Sequence, residues 1–243
     1  MNIIADLHTH TVAAGHAFST LYENCLAAKE RGLSHIALTE HAPAMPGGPP
    51  KIYFGAMRAL PRVIEGVFVL RGVELNILDW EGAVDLSPFY LKQLDYVIAS
   101  LHENMTKPGS AEEHTEAYLN VIKNEYVDCL GHIGNGAYPC DYERVVRALR
   151  DAGKILEINN HSFVTRPGSK ENCKIAAGFC KKHGVPVAVT TDAHYMSRVG
   201  LFPDALALLK ELDFPEELVI NSSLKRLSDW FLRRKGLSIE VES

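Results

Sequence analysis

The sequence predicts an α/β protein in which seven parallel strands alternate with helices. Short apolar runs rich in β-branched residues alternate with longer amphipathic stretches along the chain. Most of these runs are continuously apolar, as parallel strands covered on both faces are. At 243 residues the chain has an ordinary length for one barrel of this kind. The alternation indicates a (β/α) barrel or an open doubly wound sheet, in a single domain of residues 1–243 that no repeat or linker divides.

The individual strands and helices are predicted from the places where the apolar pattern changes. The strands are predicted at 3–7, 35–39, 67–74, 96–100, 129–131, 155–158 and 187–191. The helices are predicted at 20–31, 55–64, 111–124, 142–152, 170–183 and 202–212, with a short helix at 88–93 and two further helical stretches within 216–235. Gly32, Gly153 and Gly184 each follow a helix whose last turn is basic, which is typical of a helix C-terminus.

The composition excludes some classes of function. Hydrophobic residues make up 47% and charged residues 23%, with a net charge of −5, which indicates a soluble globular protein. No basic run exceeds Arg233-Arg234-Lys235, so a nucleic-acid partner is disfavoured, because phosphate neutralisation normally needs a basic face. Five cysteines without a C-x-x-C pair favour reduced thiols. No signal peptide and no apolar run near ~18 residues is found, so we expect a cytoplasmic protein that does not enter the membrane.

Metal-binding residue types follow the strands with unusual regularity. Seven of the eleven histidines and two acids lie at or just after a predicted strand end, or on the adjoining loop: His8, His10 and His16 after the first strand, His41 after the second, Glu74 at the end of the third, His102 after the fourth, His132 after the fifth, and Asp192 and His194 after the seventh. In a barrel of parallel strands these ends converge on one face, where active sites are built.

The spacing within this set suits metal coordination. In extended chain, His8 and His10 point to the same side, as do Asp192 and His194, so each pair can hold one ion. Imidazole with carboxylate suits zinc, manganese or iron. A single histidine is more often a hydrogen-bonded core or surface residue than a ligand, and the remaining four (His35, His114, His161 and His183) are interpreted in that way. Seven such placements at one end of a sheet favour a metal cluster.

The motifs that carry these residues resemble the PHP superfamily, named for polymerase and histidinol phosphatase. The matching segments, in the order of the family, are Asp6-Leu7-His8-Thr9-His10, Leu38-Thr39-Glu40-His41, Gly72-Val73-Glu74, Gly131-His132 and Thr191-Asp192-Ala193-His194. The segments 100–103, 131–135 and 156–160 are most similar to the compact YcdX-like phosphoesterase branch. The resemblance implies a distorted (β/α)7 TIM-like barrel, in agreement with the strand count.

The resemblance also implies three divalent metal ions, with zinc, manganese or iron as candidates. His8, His10, Glu74 and Asp192 would hold the first ion, and Glu74 would bridge to a second ion held by His102 and His132. His16, His41 and His194 would hold the third. Two positions depart from the family pattern: Glu40 stands where the second motif usually has Asp, and His161 stands where a small polar residue is expected.

From this resemblance we expect hydrolysis of a small phosphate monoester by a metal-bound hydroxide at a trinuclear site. The proposed catalytic residues are Glu74 as the bridge and Asp192 or His194 as the proton carrier, and Asp6 is a candidate for orienting a ligand histidine. Candidate contacts to the substrate anion are Arg166, Arg198 and, more weakly, Lys107. Plain helix capping by Ser169 with solvated charges is the alternative for the segment around Arg166.

Three other functions remain open at this point. An amidohydrolase-type enzyme acting on C–N or C–O bonds also opens with His-x-His on its first strand, but it has no need of His16 or of the Asp192-x-His194 pair. Nuclease action of the 3'-5' exonuclease kind is disfavoured by the net charge and by the lack of interleaved aromatic and basic residues. A non-catalytic metal-binding module is disfavoured by the complete ligand set. Homo-oligomers are an expectation from the resemblance alone.

Overall fold

The computed structural model describes residues 1–239 and contains a nearly closed barrel of parallel strands. In chain order the strands are β1 (Ala5–Thr9), β2 (His35–Leu38), β3 (Val63–Ile64), β4 (Val67–Asn76), β5 (Tyr96–Ser100), β6 (Cys129–Leu130), β7 (Ile155–Asn159) and β8 (Val187–Thr190). All except β3 pair in parallel in the order β1-β2-β4-β5-β6-β7-β8. The end of β1 meets the segment after β8, where His10 N donates to Ala193 O at 2.9 Å. The predicted distorted (β/α)7 barrel is therefore confirmed.

Nine α-helices connect the strands or close the barrel in the described part of the chain. They are α1 (Leu21–Glu30), α2 (Lys51–Ala56), α3 (Pro88–Leu91), α4 (Ala111–Ile122), α5 (Tyr142–Ala152), α6 (Ser162–Thr165), α7 (Ser169–His183), α8 (Pro203–Glu211) and α9 (Leu224–Lys235). Capping boxes at Thr20 and Ser110 fix the starts of α1 and α4, since each side chain accepts from the third backbone N–H and the glutamate there reaches back. Gly153 and Gly184 end α5 and α7 in the left-handed conformation.

The predicted helix at 55–64 is wrong. The helix begins at Lys51, ends at Ala56 and continues only as a 3-10 turn over Met57–Ala59, before Pro61. Val63–Ile64 then pair antiparallel with β4. Glu65 and Gly66, with φ of 54° and 83°, form the two-residue turn between these strands, as in a tight hairpin.

The barrel interior is closed at its N-terminal end by α9, the last helix described. Of the two helical stretches predicted within 216–235, one is α9 and the other consists of 3-10 turns at Glu216–Leu218 and Ile220–Ser222. Leu227, Trp230 and Phe231 of α9 pack against the buried apolar residues that line the inside of the strands. The ring of Tyr96, at the start of β5, lies 6.1 Å from Trp230 and 6.0 Å from Phe231.

Ion pairs fasten this helix to the barrel. The buried carboxylate of Asp128, just before β6, lies 2.9 Å from Arg234 Nε and 2.7 Å from Lys235 Nζ. Since α9 covers one end, only the C-terminal end of the strands is left to form a site open to solvent. No helix within 1–239 has both the length and the apolar character needed to cross a membrane. The predicted single domain of 1–243 includes 240–243, which lie outside the described residues, and stays a prediction.

Candidate metal centre

Four of the predicted ligands meet at the C-terminal end of the barrel. His8 Nε2 and His10 Nε2 are 3.1 Å apart. Asp192 Oδ1 lies 3.1 Å from His10 Nε2 and 3.6 Å from His8 Nε2, and Glu74 Oε2 lies 3.6 Å and 3.3 Å from the same two nitrogens. The structure thus gathers the whole set that the resemblance assigns to the first ion.

An irregularity in β1 aims His8, and His10 just after the strand, at this point. The register of β1 against β2 shifts between Asp6 and Thr9. Leu7 fills the barrel interior, so strict alternation would turn His8 towards the outer helices. The shift re-aims the backbone, as β-bulges beside active sites do, and lets both histidine rings face inwards.

The two oxygens of Glu74 face different groups of ligands. Oε1 lies 2.9 Å from His132 Nε2 and 3.2 Å from His102 Nε2, while Oε2 faces His8 and His10. His41 Nδ1 also lies 2.8 Å from Oε2. Because a carboxylate can donate a lone pair from each oxygen to a different cation, Glu74 has the geometry of a bridging ligand.

The three histidines predicted to hold the third ion are farther apart than the ligands of the first. They are His16, His41 and His194. The ring centroids of His16 lie 5.0 Å from His41 and 4.9 Å from His194, while His41 and His194 are 6.0 Å apart. The ring of His10 lies closer to both, with centroid distances of 4.3 Å to His41 and 4.4 Å to His194. His10, His41 and His194 have ligand atoms within 4.8 Å of one another, and His16 lies exposed at the rim. His10 is therefore more central than the sequence suggested.

Several of these buried atoms lie near other ligand atoms, yet they have no partner in hydrogen-bond geometry within the described residues. They are His41 Nδ1, Glu74 Oε2, His102 Nε2 and Asp192 Oδ1. Buried polar atoms without partners are costly, and native proteins rarely leave them so. Their side chains offer the nitrogen and carboxylate donors that borderline divalent metals prefer. The residues present therefore fit a metal cluster.

Two of the proposed ligands sit on strained backbone. His132 has φ of 26° and Asp192 has φ of 54°, in the region of positive φ that residues other than glycine rarely adopt. Both residues lie two positions after the end of a strand, where the turn of the chain points the side chain into the barrel mouth. Such strain at strand ends is typical of functional sites, where surrounding contacts hold it in place.

The electrostatics of the cluster favour ionised acids, and they act in opposite directions on different histidines. Burial lowers the pKa of His132 to about 4, with Arg166 adding to the effect. Burial and the neighbouring His41 lower the pKa of His10 well below its usual value. Burial alone would raise the pKa of Glu74, but the charges of the surrounding histidines hold it well below its ordinary range. Burial alone would lower the pKa of His8, but the charges of Glu157, Glu74 and Asp192 raise it well above its usual value. Of these rings, His10 and His132 are therefore the ones held neutral, as a metal ligand must be.

Sequence reasoning missed the residues that orient the ligands. Glu157, buried in β7, lies 2.5 Å from His8 Nδ1, and Asn76 Oδ1 lies 2.8 Å from His102 Nδ1. An acid within the otherwise apolar run 155–158 was the available indication, since a buried charge needs partners. Fixing one ring nitrogen of a histidine in this way leaves the other free to bind metal.

Asp6, the predicted partner of a ligand histidine, and Glu40, which departs from the family pattern, differ in their placement. Within residues 1–239 Asp6 makes no hydrogen bond to a histidine ring: it accepts from the backbone N–H groups of Thr191 and Gly200, and so holds the start of β1 against the segment after β8. Glu40 is buried beside the cluster, with Oε2 3.9 Å from His10 Nδ1 and Oε1 accepting from Thr11 N. Burial raises the pKa of Glu40 to about 8.

A cavity of about 540 Å³ opens over the cluster. Its wall contains His16, His41, His102 and His194, together with Met45, Pro46, Leu101, Glu103, Asn104, Asn135 and Arg166. Arg166 donates to Asp192 Oδ2 from both terminal nitrogens, at 3.2 Å each. Arg198 lines a separate cavity of about 100 Å³ with His161, and Lys107 is exposed away from both. Of the three predicted substrate contacts, only Arg166 reaches the cavity over the cluster.

Several known proteins are similar to this chain in sequence or in fold. Residues 6–164 match the model of the PHP domain family. A probable phosphatase of Acetivibrio thermocellus is 47% identical over 97% of this chain and 98% of its own length. Another, of Caldanaerobacter subterraneus subsp. tengcongensis, is 49% identical over 97% and 93%. Histidinol phosphate phosphatase of Lactococcus lactis, solved with zinc, L-histidinol and phosphate, has the same fold with a TM-score of 0.62 at 19% identity, covering 88% of this chain and 95% of its own.

Proposed function

The chain belongs to the PHP domain family and is a phosphatase-type hydrolase, and from this premise we propose that it hydrolyses a small phosphate monoester with a cluster of divalent metal ions. The observation that carries the proposal is the position of Glu74, whose two oxygens face two separate groups of histidines. We assign His8, His10, Glu74 and Asp192 to one ion, His102 and His132 with Glu74 to a second, and His16, His41 and His194 to a third.

When bound, such ions supply a hydroxide near neutral pH and the positive charge that stabilises the phosphoryl oxygens. The side chains around them then have distinct tasks. Arg166, on the cavity wall and 19% exposed, binds a phosphate oxygen through its planar fork. Asp192 has Oδ1 among the ligands and Oδ2 bonded to Arg166 and Asn159, so it orients these groups and has no free oxygen to accept a proton. His194 lies on the cavity wall, with Nδ1 held by Asp192 O, so its Nε2 is the one ring nitrogen left, and it can serve either as a metal ligand or as a proton carrier.

The proposal is tested with purified protein stripped of metal and reloaded with zinc, manganese or iron. We expect two to three equivalents of metal per chain and hydrolysis of phosphate monoesters that is lost with a chelator and restored by metal. The panel includes a lactone, a lactam and single-stranded DNA beside the phosphorylated metabolites. Turnover of the lactone, the lactam or DNA, with no phosphate monoester cleaved, would favour the amidohydrolase-type or nuclease alternative and reject the phosphatase.

Replacing Arg166 with Ala should lower kcat/KM for a phosphate monoester by roughly 10- to 100-fold, because a charged hydrogen bond contributes about 1.5–3 kcal/mol. Inhibition by inorganic phosphate should weaken by a similar factor. Arg166→Lys should recover only part of the loss, since Lys keeps the charge and lacks the fork. Steady-state kinetics with phosphate as inhibitor measure both effects.

The matched control for Arg166 is Lys107→Ala, which removes an exposed cation outside the cavity and should change neither constant. The metal content of each variant is measured in parallel. If Arg166→Ala loses metal and keeps wild-type inhibition by phosphate once reloaded, Arg166 acts through Asp192 and the proposed substrate contact is wrong.

A further inference from the structure

We propose that Glu157 is a positioning residue shared by the two ion sites that Glu74 joins, so that one buried carboxylate sets the geometry of both. The inference rests on the metal cluster of the proposed function and adds a residue to it. Glu157 occupies the middle of β7. It lies on the same face of the strand as Ile155, which points into the barrel interior, and it sits directly beneath the ligands. It is completely buried.

Each oxygen of this carboxylate accepts two hydrogen bonds. Oε1 accepts from His8 Nδ1 at 2.5 Å and from Thr190 Oγ1 at 2.7 Å. Oε2 accepts from His132 N at 2.6 Å and from Asn159 Nδ2 at 3.2 Å. Four donors from four positions along the chain leave the carboxylate a single orientation, since a buried charge is stable only when its lone pairs are satisfied.

The contact with His8 selects the tautomer of its ring. A carboxylate accepts and does not donate, so Nδ1 of His8 carries a proton, and Nε2 is the nitrogen whose lone pair can bind a metal ion when the ring is neutral. That Nε2 is the atom 3.3 Å from Glu74 Oε2 and 3.6 Å from Asp192 Oδ1. Glu157 therefore orients one ligand of the first ion site.

The contact with His132 holds strained backbone. His132 has φ of 26°, and its backbone N–H points at Glu157 Oε2. The preceding residue, Gly131, is tightly enclosed, so the backbone there has little room to move. A Cβ on Gly131 would lie 2.2 Å from Ser100 Oγ and 2.8 Å from Ile98 Cγ2. The bond to Glu157 therefore stabilises the turn that brings His132 Nε2 to Glu74 Oε1, in the second ion site.

The third group of histidines provides an internal comparison. No hydrogen bond in the described structure joins Glu157 to His16, His41 or His194. A substitution at Glu157 should thus lower the metal affinity of two ion sites together and leave that of the third unchanged. A residue with only a role in packing would lower the stability of the barrel without this pattern.

The test is Glu157→Gln, studied with zinc and cobalt(II) alone. The amide keeps the shape but has one acceptor oxygen, so its NH2 group must face either His8 Nδ1–H or His132 N–H. We expect the zinc affinity of two sites to fall roughly 10- to 100-fold while one site stays at the wild-type affinity. Competition with a chromogenic chelator measures these affinities, and the absorption spectrum of the cobalt-loaded protein should change for the same two sites.

Glu171→Gln is the matched control, because it makes the same chemical change at an exposed position in the first turn of α7, and it should keep the wild-type zinc affinities. Circular dichroism of the metal-free proteins establishes folding; if Glu157→Gln does not fold, Glu157→Asp is used, whose shorter side chain should weaken the same two sites. Wild-type zinc affinities and cobalt spectrum in a folded Glu157 variant, or equal weakening of all three sites, would overturn the proposal. These measurements use no substrate, so they stand apart from a failure of phosphatase activity.

Discussion

Glu74→Gln is expected to lower kcat/KM for a phosphate monoester by about 10³-fold, or about 4 kcal/mol of transition-state stabilisation. The reason is the dual contact of this side chain: Oε1 faces His102 and His132, and Oε2 faces His8 and His10. Glutamine has the same shape, but its neutral amide supplies one donor oxygen in place of two charged ones. The metal content of the protein should fall in the same variant, by elemental analysis after dialysis.

The control for this prediction is Glu171→Gln, the same chemical change at an exposed position in the first turn of α7. It should retain wild-type metal content and activity. Full turnover of an aryl phosphate by Glu74→Gln would show that no ion depends on both oxygens, and the bridging role would be abandoned.

Phe231→Ala should destabilise the protein by about 3–5 kcal/mol, as expected when a fully buried aromatic side chain is removed from a packed core. Phe231 is completely buried where α9 closes the barrel, and its ring packs at 4.9 Å from Trp230. The empty space would lie between the helix and the strand interiors, which have little freedom to collapse inwards. Urea denaturation of the metal-free protein measures the change in the free energy of unfolding.

The neighbouring Leu232 provides the comparison, because it is 60% exposed on the same helix. Leu232→Ala should change the free energy of unfolding by no more than about 0.5 kcal/mol. Equal destabilisation by the two variants would mean that α9 contributes through its helical structure alone, and that its apolar face does not close the barrel.

The strands and the general position of the site could be predicted because they depend on local pattern. Continuous apolar runs located the seven parallel strands, and residue types after those strands located the face where the ligands lie. The hairpin of Val63–Ile64 with β4 escaped prediction, since a two-residue strand is too short to show a period. Gly66, in the turn between the two strands, was the sequence feature that could have indicated the hairpin.

The contacts between residues far apart in the sequence could not be predicted from local pattern. Glu157 is 149 positions from His8, so nothing in the sequence links the two before the barrel brings β7 beneath β1. Asp6 has the residue type and position expected of a partner for a histidine ring, yet it binds backbone N–H groups instead. The central place of His10 likewise depends on the irregularity in β1, which the sequence pattern does not reveal.

The closure of the barrel by its last described helix also has a consequence for biosynthesis. The ribosome makes every proposed ligand, from His8 to His194, before it makes Leu224–Lys235. Each parallel strand can pair with its predecessor as it emerges, because their order in the sheet follows the chain. The interior of the nascent barrel nevertheless stays exposed to solvent at its N-terminal end until α9 docks. A ribosome stalled before Leu224 would thus hold a chain with all the proposed ligands and an unsealed interior.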